Sequence, residues 1–442
     1  MEDNKSNHNP NNRLEKQVKG TEKQGDNKIS LEEDKYVKDP NDKGQMDNFI
    51  RVGHDYFEVI FKKDRYGIKR PELKVRKKQE LVFDFSVTEV KSIKKYKDFT
   101  VVPDNINYQQ EVDSCYNLYY PFPHKPKAGG EWAWTKRILE QVFGEQFDIG
   151  LRYMQALYQC PQEILPILSL VSTERSTGKT TFLNYLSILF GNNMVILQSS
   201  FLSREFNSVY GHANIIALEE TYIDKKDIME KIKALSTQKA ILINPKKTQE
   251  YLLPFYAKIV TTSNNESDFM KVDLEEIRFF VRKLEKPKFI NYQILKELKA
   301  EIPAFLHHLN QLPMLQWDKS RQLFTAEELK NDSLGLVKFE SKSWLFHELR
   351  ELFMDEFNNK QPNEDTLLLT VKDIKEEWYS NNNRVTFKYL RKVLKEEFGF
   401  EAPKNAMRYF GFHTNKNGKP YFIERSYFGD DVSPAGGMQI AK

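Results

Sequence analysis

Long apolar runs are missing from this 442-residue chain. No stretch of about twenty apolar residues could cross a bilayer, and the N-terminus carries no apolar signal core. Membrane and secretory classes are therefore not expected, and the chain reads as soluble and cytoplasmic. Cysteine is scarce: Cys115 and Cys160 are the two present, far apart and without a CxxC partner. That argues against a zinc knuckle and for buried, reduced thiols. The eight histidines are scattered, and His307-His308 is the single adjacent pair. Neighbouring helix residues point apart, so no metal site is expected there. Charge of one sign is missing too. Lys+Arg 67 against Asp+Glu 63 leaves a formal +4, so any nucleic-acid contact must come from local basic patches, not a global field.

The length allows about two to four folding units. Residues 1–47 hold almost nothing apolar and read as a disordered tail, and 431–442 is a short C-terminal tail. From 48 to 110 short alternating runs, Tyr56-Phe-Glu-Val-Ile-Phe, Gly67-Ile-Lys, Leu73-Lys-Val and Leu81-Val-Phe-Asp-Phe, predict a small antiparallel sheet. Its basic loops fit lysine-guarded sheet edges better than a nucleic-acid surface. Residues 111–163 look helical with a break from Pro121 to Gly130; a helical collar or simple core packing would each explain the pattern.

What is present centres on Ile164 to Thr181, ILPILSLVSTERSTGKTT. The apolar run Ile164 to Val171 predicts a buried strand. A polar turn leads to Gly178-Lys179-Thr180, and an amphipathic helix from Thr181 to Phe190 stops at Gly191. In that setting backbone N–H groups and a helix N-terminus can hold a triphosphate. Ser176, Thr177, Gly178, Lys179, Thr180 and Thr181 are the expected nucleotide contacts. Lys179 would reach the β/γ-phosphates of ATP, and the Thr180 hydroxyl would ligate Mg2+. The pattern GxxxxGK(S/T) is incomplete, because Thr173 stands where its first glycine belongs.

Three downstream segments extend the pattern. Asn214-Ile-Ile-Ala-Leu-Glu219-Glu220 is an apolar run ending in two acids. Such carboxylates suit metal positioning (Glu219) and activation of the attacking water (Glu220), or are simply solvated at a strand end. Lys258-Ile-Val-Thr-Thr-Ser-Asn264 ends in an amide that could orient that water or open an Asx turn. Glu276-Ile-Arg278-Phe-Phe-Val-Arg282 places an arginine before another strand. A permanently charged guanidinium suits stabilisation of phosphoryl transfer from a neighbouring subunit, with Arg282 the fallback for that role.

The order ERSTGKTTF, IIALEE, KIVTTSN and EIRFFVR resembles the superfamily 3 helicases, compact AAA+ motors of viruses, phages and mobile elements, in particular the primase-helicase type. Thr173 and Glu219 depart from that family, where glycine and aspartate are commoner. The stretch Lys233 to Thr248 is similar to the family's channel hairpin. The resemblance implies that Lys246 and Lys247 at its tip track single-stranded DNA in a hexameric ring within a bacterial host cell.

Beyond the ATPase, Tyr292 to Leu312 predicts a helical lid, and residues from about 335 to 425 read as a winged helix. Its expected parts are helices Trp344 to Phe357, Val371 to Tyr379 and Thr386 to Phe398. A hairpin of Met407 to Phe412 against Tyr421 to Glu424 would follow, turning at Asn417-Gly418. Lys388, Arg391, Lys392 and Lys395 share the polar face of the helix expected in the major groove, with Arg408 and Lys416 flanking the wing; Glu396 and Glu397 nearby fit a merely solvated face. The expected fold class is α/β. A P-loop AAA+ core with lid (164–330) follows the small β unit (48–110) and the collar (111–163), and the winged helix (331–430) closes the chain. The expected function is ATP-dependent unwinding by a homo-hexamer, using ATP and Mg2+. Single-stranded DNA, duplex origin DNA and a separate primase or polymerase are its expected partners. A nucleotide-set assembly switch or initiator scaffold is the alternative.

Overall fold

The computed structural model describes residues 46–63, 69–204, 207–219, 226–244, 250–267, 269–273, 276–288, 290–317 and 322–428, without the side chains of 226 and 227. Expectations for Glu220, Pro245, Lys246 and Lys247, and for most of both tails, lie outside them. The described chain is mixed α/β around a parallel sheet.

An N-terminal sheet combines β1 (Phe49–Val52), β2 (Asp55–Lys63), β3 (Lys69–Arg76) and β4 (Lys94–Tyr96) in the order β3-β2-β1-β4. It is not wholly antiparallel, since β4 runs parallel to β1. The expected strand at Leu81 is instead helical, within α1 (Lys78–Asp84), and α2 (Val87–Ser92) follows. Lys78-Gln-Glu-Leu81 are straight-chain helix formers, and Leu81 is buried while Phe83 is exposed, so no half-buried alternation favours a strand. β5 (Phe99–Thr100), β6 (Glu111–Val112) and β7 (Cys115–Asn117) form a second small sheet, and β6 and β7 stand where helix was expected. Asp113 and Ser114 adopt positive φ (51° and 65°) between the paired Val112 and Cys115, a two-residue turn that commits the segment to a hairpin. Both thiols are half-buried, not fully buried as expected.

Helices α3 (Ala133–Phe143) and α4 (Phe147–Gln159) lead into the main sheet: β8 (Ile167–Val171), α5 (Lys179–Phe190), β9 (Met194–Gln198), β10 (Ile215–Glu219), α6 (Lys226–Thr237), the pair β11 (Ala240–Ile243) and β12 (Tyr251–Pro254), β13 (Lys258–Ser263) and β14 (Phe279–Lys283). The five strands are ordered β14-β8-β13-β10-β9, and every pairing is parallel. Alternate residues serve two cores. Leu168, Leu170, Ala217, Val260 and Phe280 face α3, α4, α5 and α7 (Ile294–Gln311). Ile167, Val171, Ile216, Ile259 and Phe279 face α6, the β11–β12 pair and α9 (Asp332–Glu340), which follows the short α8 (Ala326–Leu329). Covering both faces explains why these strands read as near-continuous apolar runs. The segment from α3 to α4 is part of this core: Phe143 stacks on Phe280 with ring centroids 5.7 Å apart.

A third core gathers α10 (Trp344–Asp355), β15 (Thr366–Leu369), α11 (Val371–Trp378), α12 (Phe387–Lys392) and β18 (Tyr421–Glu424), and the pair β16 (Met407–Phe410) and β17 (Asn415–Gly418) precedes β18 in the chain. Its hairpin differs from the expected one. β16 pairs with β17 across a turn closed by the Gly411 N–H donating to Thr414 O, so Asn417-Gly418 ends a strand and makes no turn. β18 pairs with β15, where Tyr421 and Ile423 join Leu367 and Leu369 in the core. That apolar contact outweighs the local turn preference of Asn-Gly. The unit is tied to the main sheet through Ser341, whose hydroxyl accepts from the Val272 N–H. Next to it, burial pushes the Lys342 ammonium down to about 8 beside the Phe346 ring.

Gly150 of α4 lies against the buried Phe143 ring; a Cβ there would stand 2.1 Å from a ring carbon. Gly150→Ala is therefore expected to lower stability by about 1–3 kcal/mol despite its better helix propensity, read from denaturant unfolding. An unchanged or raised midpoint would show that the ring has room to yield.

Candidate functional site

The parallel register brings the C-terminal ends of β8, β13, β10 and β14 to one edge of the sheet. At the end of β8 the chain turns through Ser172 to Gly178 before α5. Ser176 (φ 61°) and Gly178 (φ 97°, ψ 0°) both adopt left-handed backbone, bracketing the buried Thr177. Serine in that region is unusual, and left-handed residues beside right-handed ones are the backbone pattern that turns successive N–H groups to one side. Gly178 has open space where a Cβ would stand, so backbone conformation, not crowding, is what favours glycine there. No side chain caps α5 at Gly178, which leaves the first-turn N–H groups available at the positive end of a twelve-residue helix.

The Lys179 ammonium donates to Ser172 O at 3.3 Å and to Thr177 Oγ1 at 3.5 Å, across the floor of the loop. Burial pushes it below its usual range, and the negative charge of Glu266 opposes that shift. Thr180 is exposed and Thr181 half-buried on the first turn of α5. Glu219 ends β10, half-buried, and Asn264 directly follows β13, exposed. The Asx turn weighed for Asn264 belongs to Asn265, whose Oδ1 accepts the Ser267 N–H at 3.0 Å. Because β13 lies between β8 and β10, Asn264 stands between the loop and Glu219.

One residue unmarked by any sequence pattern holds this edge together. Glu266, 8% exposed, accepts from the Thr173 N–H at 3.0 Å and the Thr173 hydroxyl at 3.1 Å, and pairs with Lys283 at 2.8 Å. Threonine at the position expected to be glycine is thus anchored through a hydroxyl that glycine lacks. Burial alone would raise the Glu266 carboxyl, but Lys283 and Thr173 outweigh it and hold the group below the ordinary carboxylate range.

Arg278 is not at this edge. It precedes β14, whose first residue pairs with Ile167 at the start of β8, so one strand length, about 16 Å, separates it from the loop in the same chain. Its guanidinium is bidentate on Glu276, Nε to Oε1 at 2.8 Å and a terminal nitrogen to Oε2 at 2.9 Å. Arg282, the fallback for the same role, is 4% exposed and engaged by Glu145, Gln146 and the Val142 carbonyl. Its guanidinium is thus committed within its own chain. In the C-terminal unit Lys388, Arg391, Lys392 and Lys395 are all exposed on or just after α12, and Lys392 lies 3.9 Å from Glu396. Arg408 is exposed, whereas Lys416 is tied to the buried Asp373, which also accepts from the Tyr409 hydroxyl. Among the described residues no His/Cys/Asp/Glu cluster could hold a metal, and no helix is long and apolar enough to cross a membrane.

A model of a family of unknown function, DUF5906, matches residues 170–278. That stretch runs from within β8 to Arg278 and contains the loop, the end of β10, the β11–β12 pair and Asn264. No curated relative matches by sequence. Among solved structures, the apo structure of the NrS-1 C-terminal region is similar over 83% of this chain and 95% of that one, with TM-score 0.58 at 15% identity. Two A-form apo structures of the same region give TM-scores of 0.55 and 0.53, again at 15% identity; they cover 83% and 84% of this chain, and 96% and 94% of theirs. At that identity the likeness is one of fold.

Glu266→Gln is the test of the clamp. A carboxyl held low in the folded state adds stability that is present above its unfolded pKa, near 4.5, and lost as pH falls through the folded value. The stability gap between wild type and Glu266→Gln should therefore be full at neutral pH, on the order of 1 kcal/mol, and close below about pH 4.5. A gap that stays constant down to pH 3 would show that Glu266 is not anchored as a carboxylate.

Proposed function

We propose that the protein is an ATP-hydrolysing, ring-forming DNA motor of the superfamily 3 type, acting in the replication of a phage or mobile element. The observation that carries this reading is the loop after β8: left-handed bends at Ser176 and Gly178, an uncapped helix N-terminus, and Lys179 resting on Ser172 O. Such a backbone suits phosphates, with its N–H groups as donors. Lys179 would exchange a carbonyl partner for phosphate oxygens, recovering the charge partner that its burial lacks. Thr180 and Glu219 fit a hydrated Mg2+, which would neutralise charge on the phosphates. Asn264 is proposed to orient the attacking water, and Glu220 is proposed as the base from its place in the sequence.

The placement of Arg278 supports a ring. It is too far from its own loop to serve it, yet its half-exposed guanidinium is held by a buried partner, as an arginine acting on a neighbour's nucleotide would be. The antiparallel β11–β12 stem, Ile243 opposite Tyr251, supports a projecting hairpin with Lys246 and Lys247 at its tip. We further propose that the C-terminal unit is a winged helix and that the exposed basic face of α12 meets DNA phosphates, while Lys416 holds the wing in place. The switch reading keeps one observation in its favour, the clamp on Thr173, which stiffens the mouth of the loop.

ATP turnover of the full chain with and without single-stranded DNA separates the two. A motor is stimulated by the strand; a switch turns over slowly and indifferently. Lys179→Ala should lower turnover by on the order of 10²-fold or more while unfolding cooperatively at a near-normal temperature. Near-normal turnover in that variant would remove the loop from the chemistry.

A further inference from the structure

Glu276 is 5% exposed, and its carboxylate is fully committed. Oε1 accepts the Ile277 N–H at 3.1 Å, the Arg278 N–H at 3.0 Å and the Arg278 Nε at 2.8 Å. Oε2 takes a terminal guanidinium nitrogen of Arg278 at 2.9 Å and lies 3.5 Å from the Lys233 ammonium. Burial would raise this carboxyl, but Arg278 first and then Lys233 hold it below the usual carboxylate range. Lys233 is itself 5% exposed and also meets Asp273 at 3.3 Å and Glu230 at 3.5 Å.

Lys233 belongs to α6, and the chain from α6 enters β11 after only Gln238 and Lys239. Ile232 and Leu235 on either side of it are buried in the core, so α6 moves as a body with what it packs on. The Phe255 N–H donates to Lys239 O at 2.9 Å, locking the base of the β11–β12 stem to the end of the same helix. A displacement of the guanidinium therefore has a short, charge-paired route to the hairpin. Surface ion pairs are soft links, but this one has two nearly buried members, and losing either leaves a desolvated charge behind.

We infer that Glu276 is the positioning residue for the Arg278 guanidinium, and that Lys233 ties this pair to α6, so that the arginine and the β11–β12 hairpin move together. This rests on the motor reading for its use, in which Arg278 senses a neighbour's nucleotide and the hairpin carries the strand. The tie itself is a property of one chain.

Two variants of the full chain test it. Glu276→Gln should lower kcat by on the order of tenfold or more with KM for ATP unchanged, since the guanidinium would act in the transition state only. A parallel rise in KM, or an unchanged kcat, would overturn the positioning role. Lys233→Met should speed hydrogen exchange by on the order of fivefold in the stem 240–243 and 251–254 and in 276–281 at once. It should also lower turnover with single-stranded DNA by a larger factor than turnover without it, and Lys233→Arg should restore both. Faster exchange confined to α6, or full stimulation in Lys233→Met, would overturn the tie. A wild type that DNA does not stimulate would overturn the motor reading instead, and the exchange measurement still decides the tie.

Discussion

Parallel pairing of β8 with β13 on one side and β14 on the other governs where the candidate groups of the main sheet stand. Parallel neighbours start and finish together, so the sheet has one edge of strand ends and one of strand beginnings. Loop 172–178, Glu219, Asn264, Glu266 and Lys283 leave from the first edge; Arg278 enters at the second. A change in the direction of β14 would place Arg278 beside its own loop and remove the reason for a neighbour. The separation of charge between the two edges is thus a consequence of topology, maintained by cores on both faces of the sheet.

Buried carboxylates then fix local geometry at each edge. Glu266 anchors Thr173 and Lys283, so the mouth of the loop, the exit of β13 and the end of β14 share one acceptor. Glu276 does the same for Arg278 and Lys233 at the far edge. Each carboxylate is nearly inaccessible and each is surrounded by donors, which is how a desolvated charge becomes tolerable. Such groups specify an arrangement more than they stabilise it, because their pairing offsets a desolvation cost of similar size.

The central strands and the loop were legible in the sequence because double-sided burial writes a continuous apolar run, and Gly178-Lys179-Thr180 falls at its exit. The stem of β11 and β12 was legible only through the resemblance of Lys233 to Thr248 to a channel hairpin. Long-range pairing was not. β18 chose β15, where no strand was expected, over the nearer β16, and nothing in Asn417-Gly418 signals that choice. Leu81 and its neighbours could be read as a strand until burial showed a single inward residue. Glu266 and Glu276 were invisible as site residues, since their importance lies in which distant donors the fold delivers to them. The one trace of the first was negative: threonine in a glycine position, which calls for an acceptor to hold it.

The most direct measurement is a structure of the full chain with Mg2+ and a non-hydrolysable ATP analogue. The expected result is the triphosphate seated in the 172–178 loop with Lys179 moved from Ser172 O to its terminal phosphates. Arg278 of an adjacent copy, still carried by Glu276, should face it. An analogue bound elsewhere, or a loop left empty at saturating concentration with Lys179 still on Ser172 O, would contradict the assignment of this edge as the nucleotide site.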